Sequence, residues 1–164
     1  MSKAYFIELA EYNIWANAIA HSWLEQISDE QWERPIVSSF NGIHDTVLHV
    51  AGAEKIWLDR LNNIKEPVPL VTVFKGSKEE LLDIWTLSAQ GLKTFVENFE
   101  EKDLHGELTY KRINGQVFTN KYSHLFSHIF NHSTYHRGQL VTMLRQVGST
   151  NTSSTDMIGF FFNK

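Results

Sequence analysis

Four of the eight histidines in this 164-residue sequence recur at intervals of four residues, at His124, His128, His132 and His136. Side chains four residues apart lie on the same face of an α-helix, with their Cβ atoms about 6 Å apart. Two imidazoles at this spacing can bind one metal ion through nitrogen atoms at about 2.1 Å. The spacing therefore predicts a helix in this region and a candidate metal site on one of its faces.

Helical periodicity divides these histidines into two pairs. The apolar residues of the segment share one side of the predicted helix: Leu125, Ile129, Leu140, Met143 and Val147. His136 falls at the centre of that side and His132 within roughly 40° of it, whereas His128 and His124 lie farther round. His132 and His136 are thus predicted to point inward, where an imidazole needs a partner. A hydrogen-bonded core histidine is the alternative to a metal ligand.

Two ligands on one helix are too few for a metal site, so another element must contribute. His44 and His49, in a second predicted helix, are the candidates, and acidic residues are the alternative. His49 lies beside Gly52 and Ala53, whose small size would let two helices approach, but periodicity favours it only slightly. The isolated His21 and His105 are interpreted as structural.

The remaining pattern predicts four long helices. Their expected bounds are about 4–26, 43–61, 78–99 and 122–147. The spacing of Ser77 and Glu80 is that of a capping box, as is that of Ser28 and Gln31 before a short helical turn. Ser39 or Asn41 is expected to open the second helix, and Gly148 to end the fourth.

The connections carry their own signals. The stretch 62–70 contains two prolines and is expected to lie outside any element. Alternating residues on either side of Asn114 and Gly115 predict a short hairpin with a type I′ turn. The apolar residues 157–162 are expected to pack back onto the helices. The sequence therefore predicts an all-α four-helix bundle, with a short β-hairpin between helices three and four, as a single domain over 1–164.

Composition narrows the function classes. The sequence contains no cysteine, so a metal must be bound by nitrogen or oxygen atoms. The formal net charge is −4 and no run of Lys or Arg occurs, which argues against a nucleic-acid partner. No segment approaches the roughly 18 consecutive apolar residues of a membrane span. Glu8 and Glu11 interrupt the first apolar segment, unlike a secretory signal, so a cytoplasmic location without a membrane partner is expected.

Three segments resemble the DinB/YfiT-like family of damage-inducible proteins, which is unrelated to the DNA polymerase that shares the name. They are YNIWAN from Tyr12, HVAGAEKIWLDRL from His49 and, most specifically, HIFNHSTYHRGQL from His128. The resemblance extends over nearly the whole chain. It implies an up-down-down-up bundle whose metal ligands are one histidine from the second helix, here His49, and two from the fourth, here His132 and His136.

The resemblance also implies a range of activities. Some relatives transfer a low-molecular-weight thiol, namely bacillithiol, mycothiol or glutathione; others are described as metal-dependent hydrolases. Zinc or nickel is common among them, and several form homodimers. For this chain we expect a divalent transition metal, a small-molecule substrate and a homodimer. Candidates for a pocket beside the metal are His128, Trp57, Phe126 and Tyr135, with Arg137 to hold an anionic group; ordinary packing is the alternative for each.

Thiol transfer to an electrophilic substrate is the favoured hypothesis, because a metal lowers the pKa of a bound thiol. Hydrolysis by hydroxide held at the metal is the second hypothesis. The helix carries HSTYH in place of HExxH, so the usual glutamate base is missing, and Glu54 is expected to turn away from His49. The third hypothesis is a non-catalytic stress protein that binds a ligand through its metal.

Overall fold

The computed structural model describes residues 1–162 and is mainly helical. The four long helices are α1 (Lys3–Glu25), α3 (Ile43–Leu61), α5 (Lys78–Asn98) and α6 (Tyr122–Gln146). Three short helices are α2 (Asp29–Glu33), α4 (Leu70–Val73) and α7 (Met157–Phe162), and a 3₁₀ turn spans Glu101–His105. Strands β1 (Glu107–Lys111) and β2 (Val117–Lys121) pair antiparallel between α5 and α6. The predicted helical class and the hairpin are confirmed.

The long helices pack in a connected arrangement. Helices α1 and α3 each pack against both α5 and α6. Helix α3 therefore faces α6, which brings the helix that carries His49 against the helix that carries the histidine series. No helix within residues 1–162 is long and apolar enough to cross a membrane.

Helix α3 begins at Ile43 as predicted, but its cap differs from the prediction. The capping boxes at Ser28 and Ser77 are confirmed, with both reciprocal hydrogen bonds present. The cap of α3 is Gly42 rather than Ser39 or Asn41, and no side chain caps it. A Cβ atom at position 42 would lie 2.7 Å from the carbonyl oxygen of Arg34, so a close backbone approach, not a polar cap, selects glycine here.

Two connections also correct the prediction. The proline-containing stretch ends one residue early, because Leu70 is already the first residue of α4. The hairpin turn is not type I′, since among the described residues only Asn63 and three glycines have positive φ, so Asn114 does not. Instead the N–H of Gly115 (φ 85°) donates to the carbonyl of Arg112, and Asn114 Oδ1 accepts the N–H of Gln116 at 3.1 Å. This is the pattern of a type I turn followed by a glycine bulge.

The C-terminal segment behaves as predicted only in part. Gly148 (φ 88°) follows α6, and the next N–H, of Ser149, donates to the carbonyl of Leu144. Helix α7 packs on α1 through Phe160, whose ring lies 5.7 Å from that of Trp15. The expectation that the whole apolar segment packs back is wrong for Ile158 and Phe162, which remain 60% and 79% exposed.

The core consists of two apolar clusters with a polar layer between them. One cluster includes Trp23 and Trp85, and the other includes Phe6 and Phe126. Along α1, α3 and α6, buried polar residues lie between the residues that belong to the two clusters. We call this set the polar layer: Asn13, Asn17, Glu54, Ser133 and Arg137. It lies at the level along α6 where His132 and His136 occur.

Candidate metal centre

Three imidazoles converge where α3 faces α6. The Nε2 atom of His132 lies 3.1 Å from Nε2 of His49 and 3.1 Å from Nε2 of His136. His132 and His136 are one turn apart on α6, and His49 belongs to α3. His136 is buried, and the other two are partly buried. The structure thus brings together the three residues that the sequence and the resemblance single out.

The separations of the nitrogen atoms fit a shared metal ion. Two nitrogen ligands at about 2.1 Å from one ion are about 3.0 Å apart at octahedral angles and about 3.4 Å apart at tetrahedral angles. The two separations of 3.1 Å fall in this range. Within residues 1–162, this is the one group of three or more potential ligand side chains whose ligand atoms lie within 4.8 Å of one another. An all-imidazole donor set suits zinc, nickel, copper or iron better than magnesium or calcium.

Gln139 fixes the orientation of one imidazole. Its Oε1 atom lies 2.8 Å from Nδ1 of His136 and, being a carbonyl oxygen, can only accept a hydrogen bond. The proton of neutral His136 therefore resides on Nδ1, which leaves the lone pair of Nε2 free. A ligand histidine is commonly oriented in this way by a hydrogen bond to its other nitrogen.

Burial favours the neutral form of the three imidazoles. Burial first, and then the charge of His136, lower the pKa of His49 to about 4. The pKa of His132 falls to about 3, first through burial and then through the charges of His136, His49 and His128. Burial also lowers the pKa of His136, although Gln139 opposes this. All three are neutral at pH 7, which is the form that binds a metal.

An aromatic side chain from the loop before α3 covers the site. The ring of Phe40 stacks on His49 at a centroid distance of 4.4 Å and lies 5.7 Å from His136. This contact restricts the rotation of the imidazole of His49. Phe40 was not predicted from the sequence, because a lone phenylalanine in a loop carries no periodic signal. Gln139 was not predicted either, although a glutamine three residues after an inward histidine lies within reach on a helix.

Three of the predicted neighbours do lie around the histidines. His128 is exposed, and its ring is 5.6 Å from both Trp57 and His132. Tyr135 is 61% exposed, and its ring lies 5.0 Å from His136. Its hydroxyl accepts a hydrogen bond from Nε2 of Gln139 at 3.1 Å. These side chains form the surroundings of the site on the α6 side.

Two predicted pocket residues lie elsewhere. Phe126 is 1% exposed and packs in the core against Phe6, at a centroid distance of 5.4 Å. Arg137, expected as a holder of an anionic group, is also 1% exposed, and its Nη1 donates to the side-chain oxygens of Asn13 and Asn17 at 2.6 and 2.7 Å. Both expectations are wrong. At about 100° per residue, Phe126 points about 120° away from His132, and Arg137 points about 100° away from His136.

The polar layer ties both ligand-bearing helices to the rest of the protein. A single oxygen of Glu54, Oε1, accepts hydrogen bonds from four side chains on α1, α5 and α6. The donors are Asn13, Asn17, Trp85 and Ser133. Glu54 therefore turns away from His49, as its spacing predicts, and holds α3 in place.

The remaining histidines are not brought to the site. Nδ1 of His44 lies 3.3 Å from the carboxylate of Asp45, and its ring packs on Trp32. His21 packs against Trp85 at a centroid distance of 4.9 Å. Of the two candidates on α3, the structure thus selects His49.

Comparison with known proteins identifies a family for this chain. The DinB family model matches residues 1–160. Protein DinB of Bacillus subtilis (strain 168) is 25% identical over 164 residues, an alignment that covers 96% of this chain and 94% of the relative. Because the family model matches nearly the full length of the chain, the chain belongs to the DinB family.

Proposed function

We propose that this chain binds one divalent transition-metal ion, zinc or nickel, through His49, His132 and His136. We further propose that the site transfers a low-molecular-weight thiol to an electrophilic small molecule, within an up-down-down-up four-helix bundle. The observation that carries the proposal is the convergence of three Nε2 atoms, with separations of 3.1 Å from His132 to each of the others.

The chain supplies a preorganised, neutral donor set. Three protein ligands leave coordination positions open, as in catalytic rather than structural sites. A divalent cation bound there would act as a Lewis acid that lowers the pKa of a thiol or of water. Gln139 holds the proton of His136 on Nδ1, and Phe40 restricts His49, so the imidazoles need little rearrangement to bind the ion.

The surroundings favour thiol transfer over hydrolysis. No carboxylate belongs to the group of ligand atoms formed by the described residues, and Glu54 is engaged by four donors in the interior. The carboxylate of Asp45, one turn before His49 on α3, lies 3.3 Å from Nδ1 of His44. A hydrolase needs a general base near the attacking water. The pKa of a thiol is already near 8.5, so a cation held by the three histidines would let it release its proton to solvent without such a base. The chain has no cysteine of its own to compete with it.

The metal assignment is tested by elemental analysis of untagged protein. We expect roughly one zinc or nickel ion per wild-type chain, and loss of most of it in His132→Ala, because the site then retains two ligands. His124→Ala is the matched control and should keep the metal, since this exposed histidine lies about two turns before His132 on the same helix. Equal metal content in His132→Ala and wild type would refute the ligand assignment.

The reaction is tested by a screen on the metal-loaded protein. We expect conjugation of a thiol, for example bacillithiol, mycothiol or glutathione, to an electrophile such as a chlorodinitrobenzene, and no conjugation by His132→Ala. Ester, amide or lactone turnover that needs no thiol would instead favour a hydrolase. Tight ligand binding without turnover of either kind would favour a non-catalytic binding protein.

A further inference from the structure

A groove of about 680 Å³ runs along one face of α3 and reaches the metal centre. At one end it is lined by His49 and Phe40, which belong to or cover the three-histidine site. At the other end it is lined by Arg60 and Arg112. The groove therefore connects the metal centre with two guanidinium groups, and its contents would contact both.

The middle of the groove is apolar. Its walls come from α3, the start of α4 and the tip of the hairpin, and include Ala53, Ile56, Leu70, Val71 and Ile113. Val71 and Ile113 are 66% and 73% exposed, so the groove presents apolar surface to solvent. A bound molecule with an apolar body would cover this surface, which favours binding by about 25 cal/mol per Å² of apolar surface removed from water.

Arg60 is held by aromatic rings rather than by a carboxylate. Its guanidinium carbon lies 4.7 Å from the ring centroid of Trp57 and 5.1 Å from that of Tyr110. One terminal nitrogen donates to the carbonyl of Lys111 at 3.3 Å, and the buried Nε atom has no hydrogen-bond partner among the described residues. The group is thus positioned by neutral neighbours, with donor capacity left over.

Arg112 adds a second positive charge at the same end. Its guanidinium carbon lies 4.5 Å from the ring centroid of Phe118. Burial lowers the pKa of Arg60, and the charge of Arg112 lowers it as well, whereas Tyr110 raises it. Neither arginine takes part in any of the ion pairs among residues 1–162. Asp45, the acidic residue of the lining, is at the His49 end and lies 3.3 Å from His44. Two like charges without a counter-ion create a binding site for an anion.

We propose that this groove binds an elongated substrate or cosubstrate that places its reacting end at the metal centre and an oxyanion, a carboxylate or a phosphate, between Arg60 and Arg112. Only the placement of the reacting end at the metal rests on the proposed function. His49 and Arg60 are eleven residues apart on one helix, or about 16 Å along its axis at 1.5 Å per residue. The molecule is therefore long, with an apolar middle and one negatively charged end.

Mercaptoalkanoic acids are suitable probes, because they carry a thiol at one end and a carboxylate at the other. We would titrate cobalt-substituted protein with mercaptohexanoate, mercaptooctanoate and mercaptoundecanoate and follow the thiolate-to-cobalt absorption band. The uncharged mercaptoundecanol and a cationic aminoundecanethiol serve as comparisons, and a mercaptoundecyl phosphonate distinguishes a phosphate-type from a carboxylate-type site. We expect the longest acid or the phosphonate to bind about tenfold more tightly than the alcohol, the effect of one charge-assisted hydrogen bond.

Variants assign this preference to the two arginines. Arg112→Gln, at an exposed position, should reduce the preference for the anion over the alcohol, and Arg60→Gln/Arg112→Gln should abolish it. Arg60→Lys keeps the charge and should retain most of the preference for the anion. The control Arg145→Gln, at an exposed position outside the groove, should retain the full preference. If the alcohol binds wild type as tightly as the acid and the phosphonate do, or if the double variant still prefers an anion, the proposal is overturned.

Failure of the anion site is distinguishable from failure of the metal site. Calorimetry of chelator-treated protein with undecanoate and undecanol measures the anion preference without any metal. A preference for undecanoate in this experiment, without a cobalt–thiolate band, would support the anion site and refute the proposed metal function. A cobalt–thiolate band with no difference between acid, phosphonate and alcohol would support the metal site and refute the anion site.

Discussion

Gln139 contacts the metal centre only through another side chain, yet it fixes which nitrogen of His136 is free. Its Oε1 accepts from Nδ1 of His136 at 2.8 Å, while its Nε2 donates to Ser39 and Tyr135, each at 3.1 Å. We call the two hydrogen bonds donated by Nε2 the outer bonds; they orient the amide so that its oxygen faces the imidazole. Gln139 is therefore a positioning residue whose effect is expected on metal affinity.

Replacing Gln139 by Leu should weaken metal binding without unfolding the protein. The hydrogen bond to Nδ1 is lost, and loss of such a partner weakens metal affinity by about 10- to 100-fold. Affinity is measured by competition with a chromogenic chelator, with the helical circular dichroism signal as a check on folding. Ser39→Ala and Tyr135→Phe remove an outer bond each and should have smaller effects. Unchanged affinity in Gln139→Leu would show that the imidazole is oriented by packing alone.

At the scale of elements, the polar layer determines how α3 and α6 meet. Glu54 on α3 accepts from Ser133 on α6 at 2.7 Å, and both are buried. Arg137 provides positive charge in the same layer through Asn13 and Asn17, which bond to it and to Glu54. Because residues of α6 next to the ligands take part, this network also sets the position of His132 and His136 relative to His49.

Arg137→Met should destabilise the protein strongly. It leaves Glu54 buried without its compensating cation and leaves two asparagine oxygens without a donor, which costs about 3–5 kcal/mol of the free energy of unfolding. Urea denaturation of chelator-treated protein measures this cost. Arg34→Met, at an exposed position, is the control and should change the free energy by no more than about 0.5 kcal/mol.

A second substitution tests whether the cost comes from the buried charge. Glu54→Gln/Arg137→Met removes both charges, so its destabilisation should be smaller than the sum of those of the two single variants. Simple additivity would mean that Glu54 and Arg137 act independently, and that the network does not couple α3 to α6.

At the scale of the whole molecule, a partly buried histidine away from the three-histidine site adds to the dependence of global stability on pH. Burial lowers the pKa of His21 to about 4, against the opposing charge of Asp83, and its Nε2 has no hydrogen-bond partner within the described part of the chain. The unfolded chain protonates this group near pH 6.5, whereas the folded protein does so only near pH 4. The free energy of unfolding therefore contains the full contribution of neutral His21 above pH 6.5. This contribution is lost as the pH falls towards 4, by up to about 3 kcal/mol.

His21→Asn should flatten that part of the stability profile. We expect the free energy of unfolding of chelator-treated protein to fall less steeply between pH 6.5 and 4 in the variant than in wild type. His105→Asn, which removes an exposed histidine, is the matched control and should leave the profile unchanged. Identical slopes in wild type and His21→Asn would mean that burial does not hold this imidazole neutral.

Local patterns predicted the four long helices and two of the three histidines of the site. Ser77 with Glu80 marked the start of α5, and the inward position of His132 and His136 followed from the apolar face of one helix. His49 needed the family resemblance, because a ligand on another helix is brought in by tertiary packing, which leaves only a weak periodic signal along α3. The same reason explains why Arg137 was assigned to a pocket: adjacent positions on a helix differ by about 100°, and the buried partners of this arginine lie on α1.

Two of the three candidate ligands lie on α6, and the third, His49 on α3, lies 83 positions before His132 in the chain. An ion bound by all three residues acts as a reversible cross-link that closes this long segment, and it does so only in the folded state. Folding and metal supply are then linked by mass action: a free ion concentration a thousandfold above the dissociation constant adds about 4 kcal/mol to stability. If the site holds its ion in the cell, a shortage of that metal would lower the resistance of this protein to unfolding as well as any chemistry that the ion supports.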